Sequence, residues 1–151
     1  MALKPDRIEA RTDISFFMNS VAERGGVASV VTGGSGVAMD DSNAVVGYAT
    51  GASGAVPVGI LLNDVVNIDL TRQHINWYKD EIQLGGKVTL LRQGQVTTNM
   101  IVSGNTPTAG AAAYVGANGL LSTSSTNAVK VGTFLGSKDA DGYVKVDINI
   151  T

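Results

Sequence analysis

Short β-branched runs, each stopped after a few residues by glycine, asparagine or aspartate, constrain this chain more than any other feature. Val27-Ala28-Ser29-Val30-Val31-Thr32 ends at Gly33-Gly34-Ser35-Gly36. Gly36-Val37-Ala38-Met39 reaches Asp40-Asp41-Ser42-Asn43, and Ala44-Val45-Val46-Gly47-Tyr48-Ala49-Thr50 runs into Gly51-Ala52-Ser53-Gly54. β-Branched side chains are stiff about χ1 and suit a pleated strand better than a helix. Punctuation about every ten residues indicates a β-sandwich or barrel. The 19 glycines among 151 residues are nearly double the usual share of roughly 7%. Many fall at these breaks, so they mark tight connections rather than flexible linkers.

The same reading continues downstream. Val56-Pro57-Val58-Gly59-Ile60-Leu61-Leu62 is a strand, with Pro57 suited to an edge or a first position. Asp64 could cap a short helical turn, but Val65 and Val66 oppose a long helix. Lys87–Leu91 and Gln95–Val102 flank Arg92-Gln93-Gly94, which predicts a three-residue hairpin loop with Gly94 in the left-handed position. Ala111–Val115 and Leu120–Thr123 flank Asn118-Gly119, a strong hairpin signal. Val129–Gly136 and Tyr143–Ile150 flank the turn Asp139-Ala140-Asp141-Gly142. In the last strand Val144, Val146, Ile148 and Ile150 share one face, opposite Lys145, Asp147 and Asn149. The expected architecture is all-β: residues 14–151 form a single compact β-barrel or sandwich, preceded by an extended N-terminal arm over 1–13.

That arm is where charge concentrates. Charged residues are only 16% of the chain, against an average of about 25%. Yet Lys4, Asp6, Arg7, Glu9, Arg11, Asp13, Glu23 and Arg24 all lie in the first 24 residues. With only Ile8 and Ala10 as apolar residues between Asp6 and Asp13, the arm cannot fold alone. It is either a frayed terminus or a segment ordered by ion pairs with another chain.

Composition excludes several function classes. With 44% hydrophobic residues and a net charge of −2, the chain is not disordered. Without cysteine it has no disulfide framework and no thiolate metal site. Eleven basic residues against 13 acidic ones leave no basic footprint for nucleic acid. No apolar run approaches the ~18 residues of a membrane span. The polar start Met1-Ala2-Leu3-Lys4-Pro5-Asp6-Arg7 does not read as a signal peptide.

Catalytic and cofactor motifs are incomplete wherever they begin. His74 has no cysteine and no Gly-x-Ser-x-Gly elbow to serve, so a surface or interface place fits it better than a base. Gly85-Gly86-Lys87-Val88-Thr89 has Glu81 and Val88 where a phosphate loop needs glycine and a hydroxyl residue. Asp139-Ala140-Asp141-Gly142 brings its glycine too early for a calcium loop and lacks the distal glutamate. Asp40 and Asp41 beside Asn43 read as a solvated loop. Asp64 and Asp69 form a carboxylate pair of the kind any chain with ten aspartates offers. No cofactor and no metal is expected.

Adjacent aromatics are the better candidates for binding. Trp77 and Tyr78 on a strand would face opposite ways, so one can anchor a partner while the other packs inward. Phe16 and Phe17 pose the same alternative near the arm.

The run Ala112-Ala113-Tyr114-Val115, Asn118-Gly119-Leu120, Val131-Gly132-Thr133 and Gly142-Tyr143-Val144-Lys145-Val146 resembles the small β-rich capsid decoration, or cement, proteins of tailed bacteriophages. The likeness covers roughly residues 56–150, and Gly59-Ile60-Leu61-Leu62-Asn63-Asp64 belongs to it. It implies a non-enzymatic virion protein made in the host cytoplasm. Such a protein would sit on the outer capsid surface as a homotrimer at three-fold positions, bridging neighbouring major capsid proteins. Expected interface residues are Lys4, Asp6, Arg7, Glu9, Arg11 and Phe16, with Trp77 and Tyr78 as a second patch. Expected partners are the major capsid protein and the chain itself, with no nucleic acid and no membrane. Scarce surface charge suits a module that packs against other proteins, because interface cores are depleted of charge. The alternatives are a tail or fibre module binding host glycans and a small β-fold hydrolase acting on cell-wall glycan. The first needs an exposed aromatic and Asp/Asn cluster, the second a convergent acid pair.

Overall fold

The computed structural model describes residues 2–32, 45–64, 81–82 and 87–150. In chain order the strands are β1 (Ile8–Met18), β2 (Ala22–Glu23), β3 (Val27–Thr32), β4 (Val45–Gly47), β5 (Pro57–Asp64), β6 (Glu81–Ile82), β7 (Lys87–Thr98), β8 (Ala112–Val115), β9 (Leu121–Ser122), β10 (Lys130–Phe134) and β11 (Val144–Asn149). The all-β expectation holds: the described residues contain a single 3-10 turn, Ala117–Gly119, and no α-helix. β2 and β6 form a two-stranded ladder of their own.

The remaining nine strands follow the order β1-β4-β3-β5-β7-β11-β10-β8-β9, with a further pairing between β1 and β7. That extra pairing closes a ring of β1, β4, β3, β5 and β7, the first lobe. The second lobe hangs from the same β7. From β7 the sheet continues through β11, β10, β8 and β9, and Leu121 of β9 hydrogen-bonds back to Met100 and Val102, just beyond β7. β7 is therefore the spine of both lobes. One of its edges carries β5 at Val88–Leu91 and then β11 at Gln93–Thr98; the other carries β1.

A spine shared in this way has to be apolar on both faces at its middle. Leu90 packs in one cluster with Met18, Ala28, Val46, Val58, Leu61 and Val88. Its neighbour Leu91 packs in the other, with Val96, Val115, Val131, Phe134, Val146 and Ile148. Val27 and Ala28 of β3 split between the two clusters likewise, as do Leu61 and Leu62 of β5. The continuous apolar runs at these places are thus strands buried on both faces.

The hairpin predicted at Arg92-Gln93-Gly94 is absent: β7 runs unbroken from Lys87 to Thr98. Gly94 does have a positive φ, +152°. Its side is occupied by β1, however, and a Cβ there would overlap the Ile8 carbonyl oxygen. The glycine marks a close strand approach, not a turn. Two other turn signals hold, while those at Gly33–Gly36 and Asp40–Asn43 lie outside the described residues. Asn118 and Gly119 both take positive φ (56° and 75°) between β8 and β9, which pair as Tyr114↔Ser122 and Val115↔Leu121. Gly142 (φ 85°) donates its N–H to the Asp139 carbonyl between β10 and β11, and the Asp139 carboxylate accepts from Asp141 and Tyr143 N–H at 2.9 Å each. Pro57 is the first residue of β5.

The N-terminal segment lies extended along β7. Leu3 bridges Thr98, and the antiparallel register then runs from Ile8↔Gln95 to Phe17↔Lys87. Residues 8–13 of the expected arm are thus part of β1. Ala2 (3% exposed) and Leu3 (5%) are buried, and Leu3 joins the larger cluster. The register breaks three times, between Glu9/Arg11, Arg11/Thr12 and Asp13/Phe16.

Candidate functional site

Two surfaces compete for a binding role. The first is the charged N-terminal segment. Its backbone is held by Lys4 N–H to the Thr97 carbonyl (2.9 Å) and Asn99 N–H to the Ala2 carbonyl (3.1 Å). Its charges turn mostly toward the same subunit. The Lys4 ammonium stands 4.4 Å from the centre of the Tyr143 ring. The Asp6 carboxylate lies 3.8 Å from Lys145, Arg7 pairs with Glu9, and Arg11 donates to the Ile150 carbonyl at 3.2 Å.

Asp13 is the most engaged of these groups. Its carboxylate accepts from the Ser15 N–H (2.8 Å) and hydroxyl and lies 3.6 Å from the Arg92 guanidinium. Partial burial opposes its ionisation. The Ser15 hydrogen bonds and the Arg92 charge outweigh that burial and hold its carboxyl below the ordinary value. Phe16 packs against the smaller core cluster, and Phe17 lies under the Lys87 ammonium. The structure thus brings Lys4, Asp6, Arg11 and Asp13 against the C-terminal strands and β7. Trp77 and Tyr78 lie outside the described residues, as do His74, Asp40, Asp41, Asp69 and Gly85-Gly86.

The second surface carries no charge, and no sequence motif marks it. The connection from β4 to β5, residues 48–56, crosses above the end of β3. Beneath it is a cleft of about 320 Å³. Asn19, Ser29, Val30, Val31, Tyr48 and every residue from Ala49 to Ala55 except Ala52 line it, and none of these eleven residues is ionised at neutral pH. Val30 (37% exposed) and Val31 (48%) stand at its side, and Val56 (58%) follows where the Val30 N–H meets the Val56 carbonyl at 2.9 Å. Ser29 in the floor is only 1% exposed, and its hydroxyl meets no hydrogen-bond partner among the described residues.

Local sequence explains the shape of this cleft. Gly47 has no side chain because Asn19 covers it; a Cβ there would overlap the Asn19 amide. Tyr48 fastens one end of the crossing segment. Its hydroxyl donates to the Glu23 carbonyl and accepts from Gly26 N–H at 3.1 Å, and its ring covers Gly26 and Gly119. Burial pushes that hydroxyl's pKa well above the ordinary phenol value. Next to it, the Asn118 N–H donates to the Ala49 carbonyl at 2.6 Å. Beyond Ala49, a side chain at Gly51 or Gly54 would meet only open space. The signal for this surface was present in Val30-Val31. Consecutive valines on a strand point to opposite faces, so one of them has to find cover away from its own neighbours.

A second hollow, about 270 Å³, lies on the outer face of β10 and β11 between Lys130, Thr133, Asp147 and Asn149. Among the described residues no three His, Cys, Asp or Glu side chains converge as a metal site would need. A protein-family model described as structural cement protein (E217 gp24/Pam3 gp6) matches residues 6–149. No curated protein matches the sequence.

Proposed function

The chain belongs to the phage structural cement protein family, and on that premise we propose that it staples the outside of the phage head by bridging neighbouring major capsid proteins. A structural, capsid-stabilising role is the family's own. The bridging, the outer face, the absence of catalysis and a homotrimeric state at three-fold positions are this proposal's additions. The observation that carries the proposal is the family match over residues 6–149.

The physics agrees with such a role. A cement acts through many copies, each burying a modest surface, so that avidity replaces one tight site. Two sheet lobes locked on one spine make a stiff unit, and a trimer ring uses heterologous contacts that close. The N-terminal arm over 1–13, with Lys4, Asp6, Arg7, Glu9 and Arg11, is proposed as a contact within the trimer or onto the shell. Exposed ion pairs are worth little individually, so these groups exchange an internal partner for an external one at small cost.

Two measurements test the reading. Purified protein mixed with heads that lack it should co-sediment and raise the temperature or shear at which they open. Light scattering should return the mass of three chains. Absence of binding to such heads overturns the cement role for this chain, and a monomer or dimer mass removes the three-fold arrangement.

A further inference from the structure

Beside the charged arm, the uncharged cleft has the features of a docking site. We infer that it receives an uncharged, extended segment of the major capsid protein. This inference rests on the capsid-cement reading and names the surface that does the work.

Three observations converge. The first is charge. The cleft is lined by Asn, Ser, Thr, Tyr, Val, Ala and Gly, with no acidic or basic side chain. That lining gives nothing to a phosphate, a cation or a charged peptide, and it matches an apolar or small-residue segment. The N-terminal segment differs, because its charges already have partners within the subunit. The second is exposed apolar surface. Val30, Val31 and Val56 are neighbours and stay open to solvent, while Val27, Ile60 and Leu61 nearby are fully buried. The third is Ser29, a buried hydroxyl without a partner among the described residues. Buried polar groups are nearly always satisfied, so an orphan implies a missing partner. Ser29 lies in the floor of the cleft, among the residues that line it. A glycan is a poorer fit. Saccharides stack on open aromatic faces, whereas Tyr48 is partly buried with its ring packed on Gly26 and Gly119, and its hydroxyl is engaged by Glu23 and Gly26.

The chain has no cysteine, so a single introduced thiol reports on the cleft alone. Thr50→Cys and Ser53→Cys, both on the exposed lip, should react with a maleimide at least tenfold more slowly on heads than in free protein. Val31→Asp should weaken head binding tenfold or more with an unchanged thermal midpoint, while Val31→Asn stays within threefold of the parent. Unchanged labelling of both lip thiols on protein that still co-sediments overturns the cleft inference and leaves the cement role standing. So does protection of the lip thiols by soluble host polysaccharide in the absence of heads. Failure of the unmodified protein to co-sediment strikes the cement role itself.

Discussion

The two lobes that share β7 are built by different rules. In the second lobe neighbours in sequence are neighbours in space: β10 and β11 meet across residues 135–143, and β8 and β9 across Gly116–Leu120. β11 follows β7 for six consecutive residue pairs without a register break. In the first lobe β3 and β4 are neighbours in sequence, but the β1 pairings are long-range. β1 pairs with a strand some 80 residues away and breaks register three times. β3–β4, β3–β5 and β5–β7 each break once. Its other β1 neighbour, β4, is parallel. Bulges bend strands and free side chains from strict alternation, and they gather near functional places. The uncharged cleft lies in this lobe. The second lobe has one register break, between β10 and β8, against six in the first, so the more regular pairing supplies the anchor and the less regular one the shape.

The comparison breaks most sharply at two glycines. A methyl on Gly132 would overlap the Asp147 carbonyl, and one on Gly94 would overlap the Ile8 carbonyl. Gly132→Ala should cost about 4 kcal/mol or more, because β10 and β11 cannot separate without opening the larger cluster. Gly94→Ala should release mainly the N-terminal segment. Denaturant unfolding together with hydrogen exchange at residues 8–13 distinguishes the two, and equal global losses would erase the difference between the lobes.

Core truncation should show the same ranking more mildly. Phe134 is fully buried in the larger cluster, so Phe134→Ala should cost about 3–5 kcal/mol and lower a single cooperative transition. Met18→Ala, in the smaller cluster, should cost about 2–3 kcal/mol and loosen the first lobe ahead of the second. Calorimetry with probes in each lobe reads this out.

Acid offers a gentler probe. Asp13 ionises more readily folded than unfolded. Its stabilisation is therefore present above its unfolded value of 3.8 and is lost as pH falls through its lower folded value. Asp13→Asn should cost about 1 kcal/mol or less at neutral pH. It should also flatten the acid limb of stability measured below pH 4. At the bottom of the scale, Asp6→Asn removes a carboxylate whose side chain is 78% exposed. The thermal midpoint should stay unchanged within error, and any effect on head binding would then belong to an external contact.

What the sequence made legible follows the same division. Val144, Val146, Ile148 and Ile150 alternate because one face of β11 is buried and the other is not, and that period is visible in the residues themselves. Asn118-Gly119 and Asp139–Gly142 announce turns through backbone conformations few other residues adopt. Gly94 misled, since a glycine kept for a close strand approach has the same letter as one kept for a turn. Leu3 was invisible as a core residue, because one apolar side chain among charges has no period to betray it. The cleft was equally hidden. It is assembled from Asn19, the end of β3 and the 48–56 connection, which no local pattern joins, and it lacks the charges and aromatics by which binding sites are usually noticed.

The spine has a mechanical consequence. β7 spans roughly 40 Å at strand rise, and strands lie along both its edges for most of that length. A force that drags the first lobe past the second along this axis meets its backbone hydrogen bonds side by side, in shear. A force that peels an outer strand meets them one at a time. A cement protein that takes its load along β7 would therefore yield late and all at once. The same molecule turned a quarter-turn would unzip from the short end strand β9.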